Sequence, residues 1–313
     1  MRRRRRDELI VHIGTVLEVS PGCVSAVPRT FHRLILILGL CWTACAPGQD
    51  TSTWTKPFPP HRIAGNLYYV GSQDLASYLV ATPEGHILIN SSLGESVPLI
   101  RASVEKLGIK FVDIKILLIS HAHSDHCAGS AEILRLTKAR HLVMEGDADA
   151  VESGGAKKLP SGVSDYTQFP PARVDQNLKD GDEVKLGGAV LTAHLTPGHT
   201  RGCTTWTMQV MEDGKPLNAV IIGSPNVNPG YVLTGNRNYP AIATDYERTF
   251  SVLKSLPVDL FLGAHGGYYG MVEKHGRLGT AGVNPFVDPE GYHRYVSEKE
   301  QAFRAEWERQ KAK

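Results

Sequence analysis

The segment LLISHAHSDHCAG, Leu117 to Gly129, carries His121, His123, Asp125 and His126 within six positions, directly after an apolar run. His121 and His123 are two apart, so in extended backbone their imidazoles point the same way. Asp125 and His126 follow where the chain turns towards a helical pattern starting at 128. Neutral imidazole nitrogen and carboxylate oxygen are donors that suit zinc. No apolar core tolerates four such groups unpaired, because burying them without partners is costly.

These residues do not close a site alone. LTPGHTRG places His199, and FLGAHGG places His265, each after a strand-like run and beside glycine. Glycine permits the tight turns that let backbone and metal approach closely. Three separate strand ends thus offer ligands, and a fold that joins them closes a metal site. The other post-leader histidines, His61, His86, His141, His194, His275 and His293, lack such surroundings and read as structural or surface residues.

The elements that must position these groups are legible as apolar runs between turn signals. NLYYVG (66–71), SYLVAT (77–82), HILINS (86–91), IKILLIS (114–120) and HLVME (141–145) read as strands. AVLTAHLT (189–196), CTTWTMQV (203–210), AVIIGS (219–224) and DLFLGAH (259–265) repeat that mode in the second half. Helical spacing marks 95–108, 128–137 and 244–256, and the charged tail SEKEQAFRAEWERQKAK reads as a helix. A polar stretch from about 152 to 173 reads as a binding loop or a plain surface loop. Two strand-rich halves with interleaved helices predict two mixed sheets packed face to face with helices outside, an α+β four-layer sandwich.

The 313 residues are 42% hydrophobic and 21% charged, enough to bury a real core. A formal net charge of +2 gives no footprint for nucleic acid. The basic run Arg2–Arg6 reads as a tail or an extension outside the fold. Arg29 and Arg33 precede LILILGLCW (34–42), too short for a stable bilayer-spanning helix and suited to a secretory signal. Ala44-Cys45-Ala46 fits a cleavage site, so 1–46 is expected to be a leader and 47–313 a single exported, periplasmic domain. The long lead before the apolar run suggests a translation start nearer Pro28. Thr43-Ala44-Cys45 also resembles a lipoprotein box, which would acylate Cys45, although Trp42 fits that box poorly. Cys127 and Cys203 remain after cleavage and read as small buried residues, although export would permit a bridge.

HAHSDH, PGHTRG and GAHGG, in this order and spacing, resemble the metallo-β-lactamase fold superfamily from about Ile63 onwards. Many dinuclear relatives, glyoxalase-like and lactonase-like enzymes among them, carry a metal-bridging aspartate near the strand end IIGSPNVNPG, where this chain has Gly223-Ser224. Asp245 lies in a helical segment and is not read as that bridge. A serine here with the intact His-x-His-x-Asp-His set resembles subclass B3 of the class B β-lactamases. TPGHTRGCTTW, NPGYVL and NYPAIATDYERTF agree with that subclass.

The resemblance implies two zinc ions per chain, His121, His123 and His199 holding one and Asp125, His126 and His265 the other. It implies hydrolysis of a β-lactam amide by a zinc-bound hydroxide, with His121, His123, Asp125 and His199 in the catalytic set. Ser224 matches a residue that helps hold the substrate carboxylate. Asn226 stands where a second serine or threonine is common, and it donates with a different reach. Ser120, Ser124 and Thr200 are candidates to orient ligand imidazoles. The chain is expected to act as a monomer on a small-molecule β-lactam, with neither nucleic acid nor membrane as partner unless Cys45 is acylated. The alternatives are another dinuclear hydrolase of the fold, a lactonase or thioesterase, or a non-catalytic periplasmic zinc-binding protein.

Overall fold

Strands that read as unbroken apolar runs are buried on both faces, and these form the centre of the molecule. The computed structural model describes residues 51–155, 168–280 and 282–313. The expected leader with its cleavage site and Cys45, and positions 156–167 of the polar stretch, lie outside the described residues. The first sheet has seven strands in sequential order. β1 (His61–Ala64), β2 (Leu67–Tyr69), β3 (Tyr78–Thr82) and β4 (Gly85–Ile89) form an antiparallel meander. β5 (Ile114–Leu118), β6 (Arg140–Met144) and β7 (Gln176–Leu178) add in parallel. The crossovers between these parallel strands are α1 (Val97–Lys106), α2 (Ser124–Cys127) with α3 (Ser130–Thr137), and α4 (Glu145–Glu152).

The second sheet comprises β8 (Glu183–Leu186), β9 (Ala189–Leu195), β10 (Thr204–Glu212), β11 (Lys215–Ile222) and β12 (Leu260–Gly263). Its strands are antiparallel except β12, which pairs parallel to β11 through α5 (Ile242–Ser255). α6 (Met271–Gly276) and α7 (Pro289–Lys311) complete the chain. The sheets bury Tyr78, Val80, Ile89 and Leu118 from one side together with Leu191, Trp206 and Ile221 from the other. The outer face of the first sheet is covered by Ile100 and Val104 of α1 and Ile133 and Leu134 of α3, against Leu79, Leu88 and Leu117. The expected sandwich of two mixed sheets with helices outside is the observed architecture.

The short edge strands β1, β7 and β8 and the helices α4 and α6 carry too few apolar residues to stand out in the sequence. α7 starts at Pro289, eight residues before the charged tail, because Asp288 caps it by accepting from Gly291 N at 2.8 Å. No described helix is long and apolar enough to cross a membrane.

His61 is buried between the rings of Tyr69 and Phe286, with centroids 5.3 and 5.6 Å away. Burial drives its pKa from 6.5 to about 4, against the opposing bond to Pro59 O. A histidine whose folded pKa is depressed contributes stability above pH 6.5 and loses it as pH falls to about 4, because only the unfolded chain takes the proton there. His61→Phe keeps the ring stack and removes that proton site. Between pH 7 and pH 4.5 the variant is expected to lose roughly 2 kcal/mol less unfolding free energy than the parent, measured by urea denaturation.

Candidate metal centre

β5 ends at Leu118, and the next residues are fixed from both sheets before the first histidine. Ser120 N donates to Asn90 Oδ1 at 2.7 Å, and Ser120 O accepts from Thr204 N at 2.7 Å. Asn90 is buried with φ of 66°, a left-handed conformation that asparagine tolerates better than most residues. His123 is extended and precedes α2, a single helical turn that carries Asp125 and His126. His199 sits in the loop between β9 and β10. There Gly198 has φ of 118°, and a Cβ on it would meet the Tyr246 ring at 2.7 Å, so the turn demands glycine. His265 follows β12 by two residues and is held by a β-bridge to Leu75.

These elements bring all six sequence-derived residues together. The rings of His121, His123 and His199 lie 4.6 to 4.7 Å apart, centroid to centroid, and one donor atom from each lies within 4.8 Å of the others. His121, Asp125 and His126 form a second such group. His265 joins it: its Nε2 is 3.2 Å from His126 Nε2 and 3.4 Å from Asp125 Oδ2. Asp125 Oδ2 is also 3.2 Å from His126 Nε2. The five imidazoles are buried.

Burial pushes the pKa of His121, His123 and His126 below the ordinary value and that of His199 to about 4, which favours the neutral rings whose nitrogen lone pairs could bind a metal. Burial also pushes the Asp125 carboxyl up, but the neighbouring His126 and hydrogen bonds from His126 and His265 outweigh it and hold the group well below the carboxylate range. At His265 burial is likewise outweighed, and Asp125 and Asp74 raise the ring to about 9. The carboxylates that draw a proton onto His265 draw a metal cation to the same nitrogen, and the two compete. His121 Nε2 is buried without a hydrogen-bond partner, which a bound cation would supply. The donor set therefore fits zinc, nitrogen-rich with one carboxylate.

The partners that orient the ligands are mostly ones the sequence did not disclose. His199 Nδ1 donates to Asn226 O at 2.8 Å and His265 Nδ1 to Asp74 Oδ2 at 2.8 Å, which turns both Nε2 lone pairs to the cluster. Asp74 also accepts from Gly267 N at 2.9 Å. Of the sequence candidates, Ser120 Oγ meets His121 Nδ1 at 3.1 Å. Thr200 serves indirectly, donating at 2.7 Å to Asp147 Oδ2. Asp147, fully buried in α4, also accepts from Ala122 N and Gly202 N at 2.8 Å each, and so ties the 121–123 segment to the His199 loop. Gly202 permits the approach, since a Cβ there would lie 2.5 Å from Asp147 N. Asp74 and Asp147 stand alone among non-ligand residues in the sequence, with no histidine pattern to flag them.

Ser224 and Asn226 sit where β11 runs out, beside Tyr268. The Tyr268 ring is 5.1 Å from that of His265, and the Trp54 ring lies 5.9 Å from His265 on a segment ahead of β1. Asp245 lies in the first turn of α5, as its helical setting suggested. Cys127 and Cys203 are free and buried, and burial raises both thiols, Cys203 to about 12.

The metallo-beta-lactamase superfamily model matches residues 75–210. The native FEZ-1 metallo-β-lactamase of Legionella gormanii is 54% identical, the match covering 83% of this chain and 99% of that one with a TM-score of 0.81. BJP-1, a subclass B3 metallo-β-lactamase of Bradyrhizobium japonicum, is 35% identical over 84% of this chain and 98% of its own, with a TM-score of 0.78. A hydroxyacylglutathione hydrolase of Rhodopseudomonas palustris (strain BisB5) is 32% identical over 127 residues, 41% of this chain and 40% of that protein. The chain thus spans about two fifths of the length of such curated relatives.

Proposed function

The chain belongs to the metallo-β-lactamase superfamily, and from that premise we propose that it hydrolyses the amide bond of β-lactam antibiotics with two zinc ions. One would be held by His121, His123 and His199, the other by Asp125, His126 and His265. The observation that carries this reading is the convergence of these six side chains, from three strand ends, on one buried volume. When bound, zinc supplies a nucleophile from water near neutral pH and polarises the substrate carbonyl. Asp125, kept ionised by its histidine neighbours, accepts a hydrogen bond from the attacking water and aims its lone pair at the carbonyl carbon. Asp74 fixes the His265 tautomer, and the Asn226 carbonyl does the same for His199. Ser224 and its neighbours lie where the substrate's carboxylate would be held. The expected leader places the reaction in the periplasm, and resistance to β-lactams follows from that placement.

A thioester-cleaving reading draws on the hydroxyacylglutathione hydrolase match. Ser224 weighs against it, because it stands where dinuclear relatives of that kind are expected to carry a bridging aspartate. The experiment is turnover of a penicillin, a cephalosporin and a carbapenem beside an acyl-homoserine lactone and a glutathione thioester, with and without a chelator. β-Lactam turnover that the chelator removes and zinc restores is expected. Cleavage of the lactone or thioester with no β-lactam turnover would replace this reading with the other.

A further inference from the structure

His199 is the ligand that the second sheet must deliver to the two that follow β5, and its placement needs both a fixed turn and a fixed imidazole. The turn has several supports. Gly198 N donates to Thr200 O at 2.9 Å, the Tyr231 hydroxyl to His199 O at 2.9 Å, and the Thr249 hydroxyl of α5 to Pro197 O at 2.6 Å. The imidazole depends on the Asn226 carbonyl, which accepts from its Nδ1 at 2.8 Å. That carbonyl lies past the end of β11, where no strand ladder fixes its direction.

Tyr246 of α5, fully buried, acts on both. Its ring fills the space where a side chain on Gly198 would stand. Its hydroxyl donates at 2.6 Å to Asn226 O, the same oxygen that receives His199 Nδ1. A carbonyl oxygen has two lone pairs, and the two donors take one each. A shared acceptor strengthens neither bond, so what the tyrosine supplies is direction. The shorter bond pins the oxygen, and the pinned oxygen aims the imidazole. Tyr246 is itself held, its ring stacked on Phe303 of α7 with centroids 5.1 Å apart. One side chain thus sets the spacing between the turn that carries His199 and the acceptor that orients its ring, and with it the direction of the Nε2 lone pair.

We propose that Tyr246 is a positioning residue of the metal centre, fixing the His199 imidazole through Asn226 O as the third ligand beside His121 and His123. The inference rests on the reading of those three residues as a zinc site, and it holds whichever substrate is cleaved there. The test is the zinc affinity of the folded protein, read by chelator competition in the parent, Tyr246→Phe and Thr249→Val. Phenylalanine keeps the ring against Gly198 and Phe303 and removes only the hydroxyl. Valine removes the other α5 hydroxyl bonded to the same turn, so each variant gives up one buried hydrogen bond, and a similar fall in melting temperature is expected. Only Tyr246→Phe is expected to weaken one of the two zinc-binding steps, by about five- to tenfold, the scale of one hydrogen bond, while Thr249→Val stays within about twofold of the parent. NMR of the ring nitrogens in the zinc-free protein is expected to show the His199 proton on Nδ1 in the parent and Thr249→Val, and a mixture of tautomers in Tyr246→Phe. Equal affinity losses in the two variants, no loss in Tyr246→Phe, or a single Nδ1–H tautomer kept in Tyr246→Phe overturns the assignment and leaves the zinc site standing. A parent that takes up no zinc overturns the metal reading itself.

Discussion

Replacing Asp125 with alanine is expected to lower kcat/KM for a β-lactam by about a thousandfold or more, some 4 kcal/mol of transition-state stabilisation. Two losses combine. Asp125 Oδ2 sits 3.2 Å from His126 Nε2 and 3.4 Å from His265 Nε2, the only carboxylate among the six converging residues. Without it the proposed second zinc site keeps only the imidazoles of His126 and His265, whose Nε2 atoms face each other at 3.2 Å, with no negative charge to balance a divalent cation. The same oxygen is the acceptor that would align the attacking water. Zinc analysis of the purified variant is expected to show about one ion per chain, retained by His121, His123 and His199, which Asp125 leaves in place. Asp125→Asn, with the shape kept and the charge gone, is expected to fall between parent and alanine in zinc content. A variant with parental turnover and two bound zincs would remove Asp125 from both roles.

The convergence of the six candidate metal-binding side chains was easier to read in the sequence than the groups that hold them in place. His121, His123, Asp125, His126, His199 and His265 were legible because their chemistry is out of place at the ends of apolar strands, and the structure brings the six together. The central strands were legible for the complementary reason: runs such as ILI (87–89) and IKILL (114–118) are apolar at nearly every position because both faces are covered. The Asp74 and Asp147 carboxylates were not legible. Asp74 reaches His265 across 191 positions and Asp147 reaches Thr200 across 53, and no local pattern encodes such a pairing. Asn226 was singled out in the sequence, but its bond to Tyr268, 42 positions away, was not legible for the same reason. The edge strands β1, β7 and β8 are half-polar and three or four residues long, so periodicity has too few positions on which to register.

Asp147→Ala is expected to destabilise the zinc-free protein by about 3 kcal/mol and to weaken zinc binding at the His121–His123–His199 cluster by about 10- to 100-fold. Its carboxylate satisfies three buried donors, Ala122 N, Gly202 N and the Thr200 hydroxyl. Alanine leaves all three without an acceptor, at roughly 1 to 3 kcal/mol for each that water does not reach. The total is reduced because the parent already bears a cost: burial raises the Asp147 carboxyl, and its three hydrogen bonds only partly counter this. Thr200→Val removes one donor together with one bond, and the expected loss is about 1 kcal/mol. The metal effect has a geometric origin. Ala122 lies between two ligands that follow β5 of the first sheet, whereas Thr200 and Gly202 flank the turn between β9 and β10 of the second. Asp147 therefore holds segments from different sheets at the spacing the three imidazoles need, a constraint that sheet packing alone leaves looser. Urea denaturation of the zinc-free protein separates the stability term, and chelator competition on the folded protein separates the affinity term. A variant that loses stability yet binds zinc as tightly as the parent would show that packing between the sheets sets the ligand spacing without this carboxylate.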